Sequence, residues 1–154
     1  MSNALPKPTT KKSARAGIGL VSYYIHGTAA NFTQPKIIAA LQAGLPVTEL
    51  QDLQTSLALP MDKLGAKLGI SKATLHRRKL GGRLEPAESD RVVRFARLMG
   101  KAVSVLESQD NARRWLNSPQ VGLGGAVPLD YAETEIGARE VEDLLGRIEY
   151  GVYS

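Results

Sequence analysis

The sequence predicts an all-α protein, and two observations carry that prediction. From residue 34 onward apolar residues recur at spacings of three and four, as in Leu50, Leu53 and Leu57, and this spacing places them on one helix face. Glycines and prolines divide the same part of the chain into segments of helical length. The stretch 18–25 is apolar, short and partly β-branched, so its pattern fits a strand and a helical turn equally well.

The ends of the first helices are marked by residue type. The segment 34–44 carries Pro35 at a first-turn position and ends at Gly44. The leucine stripe predicts a second helix, and a short third helix follows it. The fourth begins at Ser71, whose side chain can cap a helix N-terminus. These three segments cover residues 46–59, 60–69 and 71–79.

Three more helices complete the prediction. The longest, 85–107, carries one apolar stripe: Val92, Phe95, Leu98, Met99, Ala102 and Leu106. A short helix stops at Pro119, and a glycine-dense loop, 120–130, follows it. The last helix, 135–151, is expected to pack on the core through its apolar positions: Ile136, Val141, Leu144, Leu145 and Ile148.

Composition limits the class of protein. A chain of 154 residues suits one medium domain or two small ones. The absence of cysteine excludes disulfides and thiolate metal sites, and it fits a reducing cytosol. No apolar run approaches the roughly 20 residues of a membrane helix. The sequence therefore predicts a cytoplasmic protein without a membrane partner.

Charge is distributed unevenly along the chain. Residues 1–117 hold 18 Lys and Arg against 8 Asp and Glu, a net charge of +10, whereas residues 118–154 hold 2 against 7, a net charge of −5. A basic part suits a polyanion, and an acidic part suits a different partner. Residues 1–33, rich in proline, basic and small polar residues, are predicted to form a flexible basic arm.

The strongest local motif is "LGAKLGISKATLHRR", at residues 64–78. A helix-turn-helix needs a small residue where its two helices cross and a residue tolerant of positive φ in the turn. Gly65 and Gly69 stand at these places, and Ser71 caps the second helix. Hydrophobic residues lock the crossing from both sides: Leu64, Leu68, Ile70 and Leu75.

The second helix of this motif presents hydrogen-bond donors suited to phosphates and guanine edges. The predicted DNA-binding residues are Ser71, Lys72, Thr74, His76, Arg77 and Arg78. Arg78 departs from the usual pattern, because a hydrophobic residue is expected at its position. Either its aliphatic stem packs on the core while the guanidinium reaches solvent, or this helix is shorter than the motif suggests.

Signatures of an enzyme are weak. "GLGG" at 122–125 lacks a following Lys-Ser or Lys-Thr, so it is not a phosphate-binding loop. His26 and His76 are the only histidines and lie fifty residues apart, and no metal or triad arrangement is evident. The sequence therefore predicts no enzymatic activity, no metal and no cofactor.

The C-terminal third resembles a known family. Its motifs follow a helix that ends in Trp and Leu, and they read "NSPQVGLGG", "PLDYAETEIG" and "VEDLLGRIEYGVYS". This order is similar to the toxin-binding domain of Xre-type antitoxins of the Xre/MbcA/ParS group, which pair with RES-domain toxins. The resemblance covers roughly residues 40–154, because a helix-turn-helix is also expected upstream in that family.

The resemblance implies a type II antitoxin that neutralises a NAD-depleting RES-domain toxin. Its C-terminal segment would cover the toxin's active site, and its helix-turn-helix would bind the operon's own promoter. Self-association to a dimer or larger is usual in the family. Together with the residue patterns, this predicts a helix-turn-helix domain (34–106) and a toxin-binding domain (107–154), preceded by the arm (1–33), which lies outside the resemblance.

Aromatic residues near the C-terminus fit this role, because tyrosine buries much apolar area while keeping a polar tip. The predicted toxin-binding residues are Glu142, Arg147, Glu149, Tyr150, Val152, Tyr153 and Ser154. A turn is expected past Gly146 and Gly151. Two alternatives remain: a stand-alone helix-turn-helix regulator with a C-terminal dimerisation domain, and a helical hydrolase that uses the acidic residues of the C-terminal part.

Overall fold

The computed structural model describes residues 18–27 and 31–151, and within these ranges it confirms the all-α prediction. They contain nine α-helices and one 3₁₀ turn (Val121–Leu123), and no β-strand beyond one isolated bridge between Pro46 and Arg83. The helices are α1 (Leu20–His26), α2 (Gln34–Ala43), α3 (Val47–Leu57), α4 (Met61–Lys67), α5 (Lys72–Gly81), α6 (Pro86–Leu106), α7 (Gln109–Leu116), α8 (Pro128–Tyr131) and α9 (Glu135–Glu149).

The ambiguous stretch 18–25 forms most of helix α1, so the strand alternative is wrong. Leu20 and Val21 are fully buried and Ile25 nearly so, because α1 packs along α6 and against α3. The predicted flexible arm at 1–33 is therefore corrected, since residues 20–26 belong to the folded core. Residues 1–17 and 28–30 lie outside the described part of the chain.

A buried carboxylate fastens the start of α1. Glu49, in the first turn of α3, is 0% exposed. Its Oε2 accepts hydrogen bonds from the backbone N–H groups of Ile18 and Gly19, and its Oε1 accepts one from Val21, each at 2.9 Å. The first N–H groups of a helix have no partner within the helix, so Glu49 supplies the partner that α1 needs.

Helix α6 is the central element. It begins at a capping box in which the Glu85 side chain bonds the N3 backbone and the Glu88 side chain bonds the Glu85 backbone. Helices α1, α2, α3, α7 and α9 all pack against α6. Because α6 contacts helices from both halves of the chain, one hydrophobic core runs from Leu20 to Leu145.

Helix α9 packs on the core with a narrower face than predicted. Val141, Leu144 and Leu145 are buried and Ile148 is half-buried. Ile136 is exposed, so its assignment to the core-facing stripe is wrong. It lies in the first helical turn, about 140° around the helix from Val141 at 100° per residue. No helix in the described ranges is long and apolar enough to cross a membrane.

Candidate functional site

Helices α4 and α5 form the predicted helix-turn-helix. Gly65 lies at their crossing, where a Cβ would approach Leu75 Cδ1 to 2.7 Å and the Ile70 carbonyl oxygen to 3.1 Å, so a side chain here would displace the Leu75 side chain and crowd the turn. The turn passes through Gly69 at a φ of +73°, a conformation that glycine adopts without strain. Leu64, Leu68, Ile70 and Leu75 are buried, as the motif requires.

Helix α5 presents polar residues to solvent at its N-terminal half. The Ser71 hydroxyl accepts a hydrogen bond from the Thr74 backbone N–H at 3.2 Å, which confirms the predicted cap. Lys72, His76 and Arg77 are exposed. The Arg77 guanidinium donates to the Thr74 hydroxyl at 3.2 Å, so its direction is partly fixed.

A depression of about 520 Å³ lies beside the start of α5. Its lining includes Asp62, Lys63, Gly69, Ser71 and Lys72. Two ammonium groups and the N-terminus of α5 outweigh the one carboxylate and favour an anion such as a DNA phosphate. Lys63 was not among the predicted site residues, although its basic character and position upstream of the motif were visible.

Arg78 holds α5 in place. Its Nε and Nη2 donate to the two carboxylate oxygens of Glu88 on α6, at 2.8 and 3.0 Å. Neither explanation offered for Arg78 holds, because α5 continues to Gly81 and the guanidinium is paired with Glu88 in a partly buried position and not released to solvent. A bidentate pair of this kind fixes the relative orientation of its two side chains, so it fastens α5 to the start of α6.

Acidification is expected to weaken this pair. Burial by itself raises the pKa of Glu88, but hydrogen bonds from Arg78 and from the Glu85 backbone outweigh burial and hold the pKa below its ordinary value of 4.5. A carboxylate whose pKa is lower in the folded state than in the unfolded state stabilises the fold at pH values above the unfolded-state pKa. This contribution is lost as the pH falls through the folded-state pKa. Chemical denaturation of wild type and Glu88→Gln should therefore show a stability difference at pH 7 that shrinks below pH 4.5. A difference that stays constant from pH 7 to pH 3 would contradict this role.

Polar contacts tie the helix-turn-helix to α6 and to the C-terminal part. Arg91 Nη1 on α6 donates to the Leu68 carbonyl in the turn at 2.7 Å. Lys67 on α4 forms an ion pair with Asp130 on α8. One helical turn further along α6, Arg94 Nη1 donates to the Glu133 carbonyl at 3.1 Å.

A row of opposite charges joins α6 to α9. Arg94 pairs with Glu135 at 3.2 Å, Arg97 lies 3.9 Å from Glu142, and Lys101 lies 3.9 Å from Glu149. The three glutamates are seven residues apart, and the basic residues of α6 are spaced three and four apart, so each row follows one helix face. Much of the uneven charge distribution is thus matched within the protein. These partly exposed pairs each contribute little stability.

The C-terminal end of α9 lies beside an open groove of about 600 Å³. Three predicted toxin-binding residues, Glu142, Arg147 and Tyr150, line this groove together. Lys101 of α6 also lines it; sequence reasoning missed this residue, although its charge and its seven-residue distance from Arg94 were visible.

Tyr150 is 79% exposed, so the side chain does not fold back onto the core. Helix α9 does not turn at Gly146 but continues to Glu149, with the change of direction at Gly151, which has a φ of +71°. Val152, Tyr153 and Ser154 lie outside the described residues. Within those residues, no group of three or more His, Asp and Glu side chains is placed to hold a metal ion.

Comparison with known proteins finds two matching domains in this chain. Residues 36–97 match the Antitoxin Xre-like helix-turn-helix domain, and residues 101–151 match the Antitoxin Xre/MbcA/ParS C-terminal toxin-binding domain. A protein named Antitoxin Xre from Yersinia enterocolitica is 35% identical over 120 residues, which is 77% of this chain and 81% of the relative. The chain belongs to the Xre antitoxin family.

Other relatives of this Xre antitoxin agree. An Antitoxin Xre from Photorhabdus laumondii is 36% identical over 122 residues, covering 78% of this chain and 82% of the relative. A more distant protein from a Sphingobium species, named Prs ADP-ribosylating antitoxin, is 23% identical over 127 residues, covering 76% of this chain and 80% of the relative. The matched domains begin at residue 36, so helix α1 of this antitoxin lies outside them.

Proposed function

We propose that this antitoxin neutralises a NAD-depleting RES-domain toxin by covering the toxin's active site with its C-terminal segment, and that it binds the promoter of its own operon as a dimer or larger assembly. The observation that carries the toxin part is Tyr150, a large aromatic residue exposed at the edge of a groove lined by charged residues. Aromatic residues that anchor in a partner's pocket dominate many interface energies.

The toxin contacts are assigned to one end of α9 and the residues after it. Glu142, Arg147 and Glu149 offer charges of both signs around Tyr150, and Val152, Tyr153 and Ser154 continue in sequence. Glu142 and Glu149 already face basic residues of α6, so a partner would compete for these carboxylates. The name of the Sphingobium relative contains ADP-ribosylation, which fits a partner whose chemistry uses NAD.

The DNA contacts are assigned to α5 and the depression beside its N-terminus. Ser71, Lys72, Thr74, His76 and Arg77 form the contacting set. Arg78 acts indirectly, since its guanidinium is held by Glu88. No catalytic role is proposed for any residue.

Co-expression tests the toxin part of the proposal. The gene adjacent to the antitoxin gene should arrest growth when expressed alone, and the antitoxin should restore growth and co-purify with the gene product. Failure of both rescue and co-purification would favour a stand-alone transcriptional regulator.

Replacing Lys72 and Arg77 together with alanine is expected to weaken promoter binding and flatten its salt dependence. Each phosphate contact releases counterions, so losing two should reduce the slope of log K against log salt concentration by about 2. Fluorescence anisotropy at several salt concentrations measures this slope. A matched double variant, Lys36→Ala with Arg139→Ala, removes the same charge from exposed positions on α2 and α9 and should leave the slope near that of wild type. Equal slopes in both double variants would remove α5 from the proposal.

A further inference from the structure

The outer face of helix α5 carries apolar residues along its centre. Leu80 is 77% exposed, and Ala73, seven residues earlier, is also exposed. Seven residues make nearly two full turns, so the two side chains lie on one line, about 10.5 Å apart along the helix. They point away from Leu75, which is the buried residue of α5.

Basic residues border this line on both sides. At 100° per residue, Arg77 lies about 50° from the Ala73–Leu80 line on one side. On the other side His76 lies about 50° from the line, and Lys72 and Lys79 lie about 90° and 110° from it. All four are exposed. In the major groove the centre of a helix face meets base edges, whereas its borders meet the phosphate walls. The arrangement of charge around an apolar line therefore matches the groove of a DNA duplex.

A glycine next to Leu80 is not required by the protein's own packing. A Cβ added to Gly81 would meet nothing within 4 Å, and the residue is part of α5 without a positive φ. Glycine is unfavourable in a helix relative to alanine, and it commonly stands where another molecule's surface comes close. The absence of a side chain here keeps the surface beside Leu80 open to a partner.

We propose that Leu80 and Ala73 read the C5-methyl groups of two thymines in the operator. This inference rests on the proposed DNA binding by α5. Thymine is the base whose major-groove edge carries a methyl group, and apolar side chains recognise it. The spacing of the two side chains corresponds to about three base-pair steps of roughly 3.4 Å each. A second copy of the chain is a poorer occupant of this face, because facing rows of Lys72, Arg77 and Lys79 would repel.

Deoxyuridine substitution tests the proposal, because it removes the methyl group and keeps the hydrogen bonds of the base pair. The probe is a duplex selected by the wild-type protein from a randomised library, with each thymine replaced in turn. Wild type should lose about fourfold in affinity at two positions roughly three steps apart, the loss expected for one buried methyl group. The N-terminal end of a recognition helix lies nearest the base edges, so a methyl group suffices at Ala73, whereas position 80 needs the longer leucine. Leu80→Ala should therefore be insensitive to deoxyuridine at one of the two positions, Ala73→Gly should be insensitive at the other, and Leu80→Met should behave as wild type.

Other outcomes separate the possible failures. If the selected duplex binds no better than random DNA, the proposed DNA binding itself fails. If binding is sequence-specific but deoxyuridine has no effect, or has the same effect on wild type and Leu80→Ala, thymine reading is wrong. If Leu80→Ala instead changes the oligomeric state in analytical ultracentrifugation, the residue contacts a second copy and the proposal is overturned.

Discussion

A variant that lacks Tyr150 and all residues after it is expected to lose neutralisation of the partner toxin while keeping its fold. Helix α9 ends at Glu149, and Tyr150 is exposed, so its removal takes no described side chain from the core. Losing a central aromatic anchor typically costs about 2–4 kcal/mol of binding, which corresponds to a roughly 30- to 1000-fold weaker complex. Growth on co-expression and titration calorimetry with the purified toxin measure the effect.

Two single variants sharpen this test. Tyr150→Ala should reproduce part of the loss, whereas Tyr150→Phe, which keeps the ring, should retain most of the affinity. Ile38→Ala is the matched control, because Ile38 is a half-exposed apolar residue on α2, in the other half of the chain. Promoter binding should be unchanged in all of these variants. Full rescue of growth by the truncated chain would remove the C-terminal segment from the mechanism.

Replacing Glu49 with alanine is expected to destabilise the protein strongly. Three buried or partly buried backbone N–H groups at the start of α1 would lose their acceptor. Each buried unsatisfied donor costs on the order of 1–3 kcal/mol, and the Ile18 and Gly19 donors are only partly buried, so the free energy of unfolding should fall by about 2–4 kcal/mol. Urea denaturation measures the change, and hydrogen exchange should show lost protection in α1 first.

Asp52→Ala is the matched control for Glu49→Ala. Both carboxylates lie on α3, but partial burial and the nearby charge of Glu49 raise the pKa of Asp52, so its ionised form is disfavoured in the fold. Removing Asp52 should therefore leave stability unchanged or slightly higher. Glu49→Gln, which keeps one acceptor oxygen, should lie between wild type and Glu49→Ala. Equal stability of Glu49→Ala and Asp52→Ala would show that α1 is held by its apolar contacts alone.

The helix-turn-helix could be predicted from sequence because each of its requirements is local. A small residue at the crossing, a turn glycine, a cap and four hydrophobic positions all fall within residues 64–78. The structure places Gly65, Gly69 and Ser71 in these roles. Apolar residues at spacings of three and four likewise predicted the helices, because a helix that buries one of its faces needs apolar residues at that spacing.

Contacts between distant residues could not be predicted in the same way. Nothing near Arg78 in sequence indicated that Glu88 would meet it with both oxygens. The exposure of Ile136 depended on which side of α9 faces α6. The regular spacing of basic residues on α6 and of glutamates on α9 was visible in the sequence. It indicated ion pairs only after the two helices were known to lie side by side.

Residue patterns alone were enough to predict that this antitoxin is helical, where its recognition helix begins, and which family motifs its C-terminal part carries. The place of residues 20–26 in the core became known from the packed helices, because it depends on a buried glutamate some thirty positions later in the chain. The packed helices also showed that Tyr150 faces outward beside Lys101, Glu142 and Arg147. Local preferences fix helices and turns, whereas burial and charge pairing are properties of surfaces that exist only after those helices have packed.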